Sequence, residues 1–76
     1  MTYEEFAAKN NKNINAIPVY ITSVDFTKNN MILMFANKDN QLTKYDMKEI
    51  IRSVNNGDIY IKNPDILKQI KWNGIN

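Results

Sequence analysis

Three runs of strand-forming residues separated by short polar turns, in the first two thirds of the chain, most strongly limit how it can fold. The middle run, residues 31–36, is apolar on both faces and is expected at the centre of a sheet. Residues 18–26, 31–36 and 41–45 are rich in β-branched, apolar and aromatic side chains and indicate three strands. Short polar turns rich in asparagine and lysine separate these strands. Three strands joined by such turns predict an antiparallel meander.

An amphipathic helix is predicted directly after the third strand. Asp46 and Glu49 have the spacing of a capping box, and apolar residues then recur at the spacing of one helical face to about residue 54. The sequence Asn55-Asn56-Gly57 supplies a stop signal. The apolar face consists of Met47, Ile50, Ile51 and Val54. Because this face must be buried, we expect the helix to cover one side of the sheet.

Two shorter helices are predicted at the ends of the chain. Thr2 and Glu5 form a capping box for a helix over about residues 3–9, and residues 10–15 form a polar connector. Residues 58–62 indicate a short strand or an extended link. Asn63 before Pro64 then predicts a cap and one or two helical turns to about residue 70.

The predicted fold class is α+β. It is a small antiparallel β-meander of three or four strands packed against one main helix, with short N-terminal and C-terminal helices. We expect a single domain over residues 1–76, in which 1–16 form the N-terminal helix and linker and 17–76 form the meander and helix core.

Composition excludes several kinds of site. The chain has no cysteine and no histidine, so it has no disulfide, no thiol nucleophile and no thiolate or imidazole metal ligand. A net charge of +2 is small for nucleic-acid binding. No apolar run approaches the length of a membrane span, and the N-terminus lacks signal-peptide features. We therefore expect no membrane association, no cofactor, and a cytoplasmic location in a bacterial or infected host cell.

Carboxylates are the only candidates for acid–base or Mg²⁺ chemistry. Asp46 and Glu49 are best explained as residues that start a helix, and Asp39 as part of a hairpin turn. A carboxylate-metal enzyme is the least favoured of three functional hypotheses, and we expect no enzymatic activity. The other candidate carboxylates are Asp25, Asp58 and Asp65.

Nucleic-acid binding is the second hypothesis. Tyrosines and lysines on one face of the sheet would offer base stacking and phosphate contacts, although they equally suit a core beside solvated lysines. We expect any such binding to be weak and strongly dependent on salt. The residues concerned are Tyr20, Tyr45 and Tyr60 with Lys28, Lys38, Lys44 and Lys62.

The pattern of strands, turn and tail resembles a small prokaryotic family, the domain of unknown function numbered 2442. The resemblance covers about residues 19–76 and rests on Ile21, Val24, residues 31–35, Tyr45-Asp46, Pro64-Asp65 and Trp72-x-Gly74. Members of that family look like small non-catalytic modules, some fused to helix-turn-helix domains and some encoded near toxin–antitoxin-like genes. The resemblance implies binding or regulation.

The leading hypothesis is a small non-catalytic module that binds a protein partner stoichiometrically. It would act as an antitoxin-like regulator or as a phage-encoded inhibitor of a host defence complex, such as an anti-CRISPR protein. A meander leaves unpaired edges, so we also expect a homodimer or target complex formed through an edge strand unless the N-terminal segment covers that edge. The candidate partner contacts are Tyr3, Phe6, Lys44, Tyr60 and Trp72.

Overall fold

A computed structural model of the chain describes residues 1–36, 39, 41–73 and 75. It confirms the predicted α+β class, with an N-terminal helix, a three-stranded meander, a central helix and a fourth strand. The elements are α1 (Tyr3–Asn11), β1 (Ile17–Asp25), β2 (Asn30–Phe35), β3 (Gln41–Asp46), α2 (Met47–Asn55), β4 (Ile59–Ile61) and a C-terminal 3₁₀ helix (Pro64–Gln69). Among the described residues, no helix has both the length and the apolar character needed to cross a membrane.

The sheet is mixed, and the prediction of a purely antiparallel sheet is wrong for its last strand. The strand order is β3-β2-β1-β4, in which β1–β2 and β2–β3 are antiparallel and β4 is parallel to β1. The direction of β4 follows from the position of α2. This helix runs back from the end of β3, so the next strand starts at the opposite end of the sheet and runs parallel to β3 and β1.

Side-chain caps fix where both α-helices begin. The Thr2 hydroxyl accepts a hydrogen bond from the Glu5 amide at 3.2 Å, and the Thr2 amide donates to Glu5 Oε1 at 3.0 Å, which confirms the predicted capping box. At the start of α2, Asp46 Oδ1 accepts from the Glu49 amide at 2.9 Å. Each cap satisfies backbone amides that have no partner within the helix.

The helix α2 ends in a Schellman motif. Gly57 has a φ of +75°, a conformation that glycine adopts without strain. Its amide donates to the Val54 carbonyl at 3.1 Å, and the Asp58 amide donates to the Ser53 carbonyl at 2.9 Å. The predicted left-handed stop at Asn55-Asn56-Gly57 is therefore confirmed.

One hydrophobic core lies between the sheet and the helices. All the predicted apolar residues of α2 are buried in it, and the strands contribute the residues that point toward α2. The buried strand residues are Val19, Ile21, Met31, Leu33, Ile59 and Ile61. Phe6 from α1 and Leu67 from the 3₁₀ helix complete this side of the sheet.

Two predicted features fall on residues that the structure describes only in part. Of the hairpin loop predicted at residues 37–40, only Asp39 is described, and it has a φ of +53°. Lys38 lies outside the described residues. Gly74, which is part of the Trp72-x-Gly74 tail pattern, also lies outside them.

Candidate functional site

The face of the sheet that points away from the helices carries large apolar side chains. Because side chains alternate along a strand, the neighbours of the buried residues share this second face. Tyr20 is 39% exposed and Leu42 is 59% exposed, while the others are half-buried against one another. We call this surface the open face, and define it by Tyr20, Ile32, Met34, Leu42 and Tyr60.

The register places these side chains in a continuous row. Tyr20 lies opposite Met34, and Met34 lies opposite Leu42, so the row crosses from β1 to β3. Tyr60 on β4 lies opposite Pro18 and therefore diagonal to Tyr20. The row ends at Leu42, on the last strand of the sheet.

Two of the predicted contact residues lie on the same side of the sheet as the open face: Tyr60, which is part of it, and Lys44, which lies beside it. Lys44 lies opposite Ile32 and is exposed, and Tyr60 is half-buried. Tyr45, which the nucleic-acid hypothesis placed on the same platform, lies on the covered face instead. It lies opposite the buried Met31, and its ring centroid is 6.1 Å from that of Phe35. The three-tyrosine platform is therefore wrong, because Tyr45 has the opposite alternation from Lys44.

The other three predicted contacts form an aromatic cluster beside the core. Phe6 is 1% exposed, so it belongs to the core and offers no surface to a partner. The ring centroid of Trp72 is 5.5 Å from that of Phe6 and 6.3 Å from that of Tyr3, and its indole N–H donates to the Leu67 carbonyl at 2.8 Å. Trp72 thus packs the C-terminal tail against α1.

An open groove of about 630 Å³ lies beside this cluster. Tyr3 and Trp72 line it, with Lys68 at 5.5 Å from the centre of the Tyr3 ring. The Tyr3 hydroxyl donates to Asp65 Oδ1 at 3.0 Å. Burial and then this hydrogen bond raise the pKa of Tyr3 above its ordinary value. The Tyr3 hydroxyl and the Lys68 ammonium both contact Asp65, and the apolar part of the groove is formed by Met1, Tyr3 and Trp72.

Three of the candidate carboxylates, Asp25, Asp46 and Asp65, have structural hydrogen-bond partners. Asp25 Oδ1 accepts from the Thr27 hydroxyl at 2.6 Å, which is the main reason the pKa of Asp25 lies below its ordinary value. Asp46 caps α2, and Asp65 bonds Tyr3. In the part of the chain that the structure describes, no three carboxylates meet in a group that could hold a metal ion.

Asparagine side chains seal the outer edge of β4, a role that the sequence did not reveal. The fully buried Asn10 donates from Nδ2 to the Ile61 carbonyl at 2.9 Å and accepts from the Ile61 amide at 2.8 Å. Asn13 donates to the Ile59 carbonyl at 3.1 Å and to the Val54 carbonyl at 2.7 Å. The N-terminal segment therefore covers this edge, as the sequence analysis allowed.

A third asparagine extends the pairing between β4 and β1. Asn63 was predicted to cap the 3₁₀ helix, but it makes no side-chain capping bond there. Its amide instead accepts from the Ile21 amide at 2.8 Å and donates to the Ile21 carbonyl at 2.9 Å. The side chain occupies the place of a further strand residue, which explains why the predicted cap is wrong.

At the opposite edge of the sheet, the backbone groups of alternate β3 residues point away from β2. The Met47 amide donates to the Asn29 carbonyl at 2.8 Å, one pair beyond the register of β2 and β3. Hydrogen-bonded pairs alternate in an antiparallel ladder, so Leu42, Lys44 and Asp46 direct their backbone groups away from β2. Among the described residues, no strand lies beyond β3.

Comparisons of the chain with models of protein families, with curated proteins and with solved structures found no match. The resemblance to family 2442 stays a prediction. The geometry of the two sheet edges and of the open face is therefore the basis for the functional argument.

Proposed function

We propose that this chain is a small non-catalytic module that binds a partner protein through the open face of its sheet. The observation that carries the proposal is the asymmetry of the sheet. The helices pack over the buried core residues of one face, while the other face keeps a row of aromatic and aliphatic side chains from Tyr20 to Leu42 in contact with water. Contiguous apolar surface of this kind marks interaction sites in small domains.

The composition of the open face suits a protein partner. Tyrosine and methionine are enriched in the centres of protein interfaces, where they supply large contact areas. Tyr20, Met34 and Tyr60 provide these groups, and Lys44 provides a charge beside the apolar row. The strands of a sheet also fix the backbone beneath these side chains before binding, which lowers the entropy lost on binding.

The biological settings that suit such a module remain the two predicted from sequence. An antitoxin-like regulator and a phage-encoded inhibitor of a host defence complex both act by occupying a surface of another protein, and neither needs a reaction centre. Both would act in the cytoplasm of a bacterial or infected host cell.

Nucleic-acid binding is the second candidate, and the position of two tyrosines favours it. Tyr20 and Tyr60 are diagonal neighbours on the open face, as a stacking platform requires. Lys44 lies on the same face. Lys62 is two residues after Tyr60, so the alternation of side chains along a strand places it on this face as well. Without Tyr45 the platform is smaller than the one predicted, so we rank it below protein binding.

Site-specific photo-crosslinking inside cells tests the proposal. A photoreactive phenylalanine analogue replaces Tyr20 on the open face, or Arg52 on the exposed side of α2 as the matched control. We expect an adduct of one discrete mass from position 20 and none from position 52. Adding Leu42→Glu should remove most of this adduct, because a carboxylate then interrupts the apolar row.

Two other outcomes would contradict protein binding through the open face. Equal adducts from positions 20 and 52, or none from position 20, would show that this face has no specific protein partner. An adduct at position 20 that nuclease removes would favour the nucleic-acid candidate instead. Circular dichroism of the Leu42→Glu variant checks that the fold is retained.

A further inference from the structure

We propose that the edge of β3 pairs in antiparallel orientation with β3 of a second copy of this chain, so that two sheets join into one across a two-fold axis. This goes beyond the binding of a partner to the open face, because it uses backbone groups at the edge. Leu42 and Lys44 supply those groups, since both direct their amides and carbonyls away from β2.

The outward residues fix the register of this pairing. In an antiparallel two-fold pair, outward groups must meet outward groups, so among the described residues of β3 Lys44 can lie opposite Leu42, Lys44 or Asp46 of the second copy. Lys44 opposite Lys44 brings like charges together, which is destabilising. Lys44 opposite Asp46 leaves Leu42 without a partner. The arrangement with Lys44 opposite Leu42 uses the outward groups of both residues in each chain and keeps the like charges of the two Lys44 side chains off directly opposed positions.

This register also suits the side chains. Thr43 lies opposite Thr43 of the second copy, and threonine pairs are favourable across strands. The aliphatic stem of Lys44 covers Leu42, the most exposed side chain of the open face at 59%. The apolar row of one chain then continues onto the second copy.

The sealed β4 edge explains why such pairing would stop at two copies. Asn10 bonds the outward amide and carbonyl of Ile61, and Asn13 bonds the outward carbonyl of Ile59. A chain with two open edges can grow into fibres, whereas one open edge forms a closed two-fold pair. A second copy of the chain is therefore the partner that suits a sheet with one open edge.

Cysteine crosslinking of the purified protein tests the register. The chain has no cysteine, so a single introduced thiol can form a disulfide only between two copies. Thr43 would form a pair without backbone hydrogen bonds, with Cα atoms about 4.5 Å apart, which permits a disulfide. We expect Thr43→Cys to oxidise to a covalent dimer and the matched Gln41→Cys to do so much more slowly.

Proline substitution tests the use of the backbone. Lys44→Pro removes an outward amide and keeps the β2–β3 ladder, whereas Lys44→Ala removes only the side chain. By analytical ultracentrifugation of dilution series, we expect Lys44→Pro to weaken the dimer at least about tenfold, since it removes a hydrogen bond from each side of the two-fold axis. Lys44→Ala should still form the dimer.

Three results would overturn the inference. These are a wild-type protein that stays monomeric at millimolar concentration, a Lys44→Pro variant that associates as tightly as Lys44→Ala, or preferential crosslinking at position 41. Since purified protein is used, these results leave the crosslinking of a partner at position 20 unaffected. Failure of the dimer and failure of the proposed function are therefore distinguishable.

Discussion

Replacing Asn10 with alanine is expected to lower the free energy of unfolding by roughly 2–6 kcal/mol. The substitution leaves the amide and the carbonyl of Ile61 without partners at a fully buried position, and each such group costs about 1–3 kcal/mol. A small domain has only about 5–15 kcal/mol of stability in total. Urea denaturation followed by circular dichroism measures the change.

Asn11→Ala is the matched control for this substitution. Asn11 is the next residue of the same helix and is exposed, so its replacement should change stability by less than about 0.5 kcal/mol. Asn10→Asp should be at least as damaging as Asn10→Ala, because it replaces the donor to the Ile61 carbonyl with a buried carboxylate oxygen. If Asn10→Ala were as mild as Asn11→Ala, the amide would not be holding the edge of β4.

Leu33→Ala is expected to cost about 2–5 kcal/mol, because it opens a cavity under α2 at a position with 0% exposure. Leu42→Ala makes the same chemical change on the neighbouring strand, where the side chain is 59% exposed, and should cost less than about 1 kcal/mol. The same denaturation experiment compares the two variants. Similar losses at both positions would mean that the open face is covered by something in solution.

The meander and α2 could be predicted because their signals are local. The strand alternation, the cap at Asp46 and the stop at Gly57 each lie within a few residues of the feature they determine. The direction of β4 could not be predicted in this way. A three-residue strand carries too little pattern, and its pairing with β1 depends on where α2 returns across the sheet.

The contacts of the asparagine side chains could not be predicted from sequence either. Asn10 and Asn63 bond backbone groups 51 and 42 residues away in the chain, so no short motif indicates these contacts. From the adjacent residues, the sequence predicts that Asn10 belongs to a polar connector and that Asn63 caps a helix. The face on which Tyr45 lies has a related cause, because it depends on the register of β3 against β2, which residue type alone does not indicate.

Amide hydrogen exchange at single-residue resolution tests most directly the claim that the sheet has one sealed edge and one free edge. In a dilute solution of monomer, the Ile61 amide should exchange only when the whole domain unfolds, because Asn10 Oδ1 accepts its hydrogen bond in the core. The amides of Leu42 and Lys44 should exchange at rates near those of an unfolded chain. An Ile61 amide that exchanges as fast as Lys44, or a Lys44 amide protected in the monomer, would contradict the account.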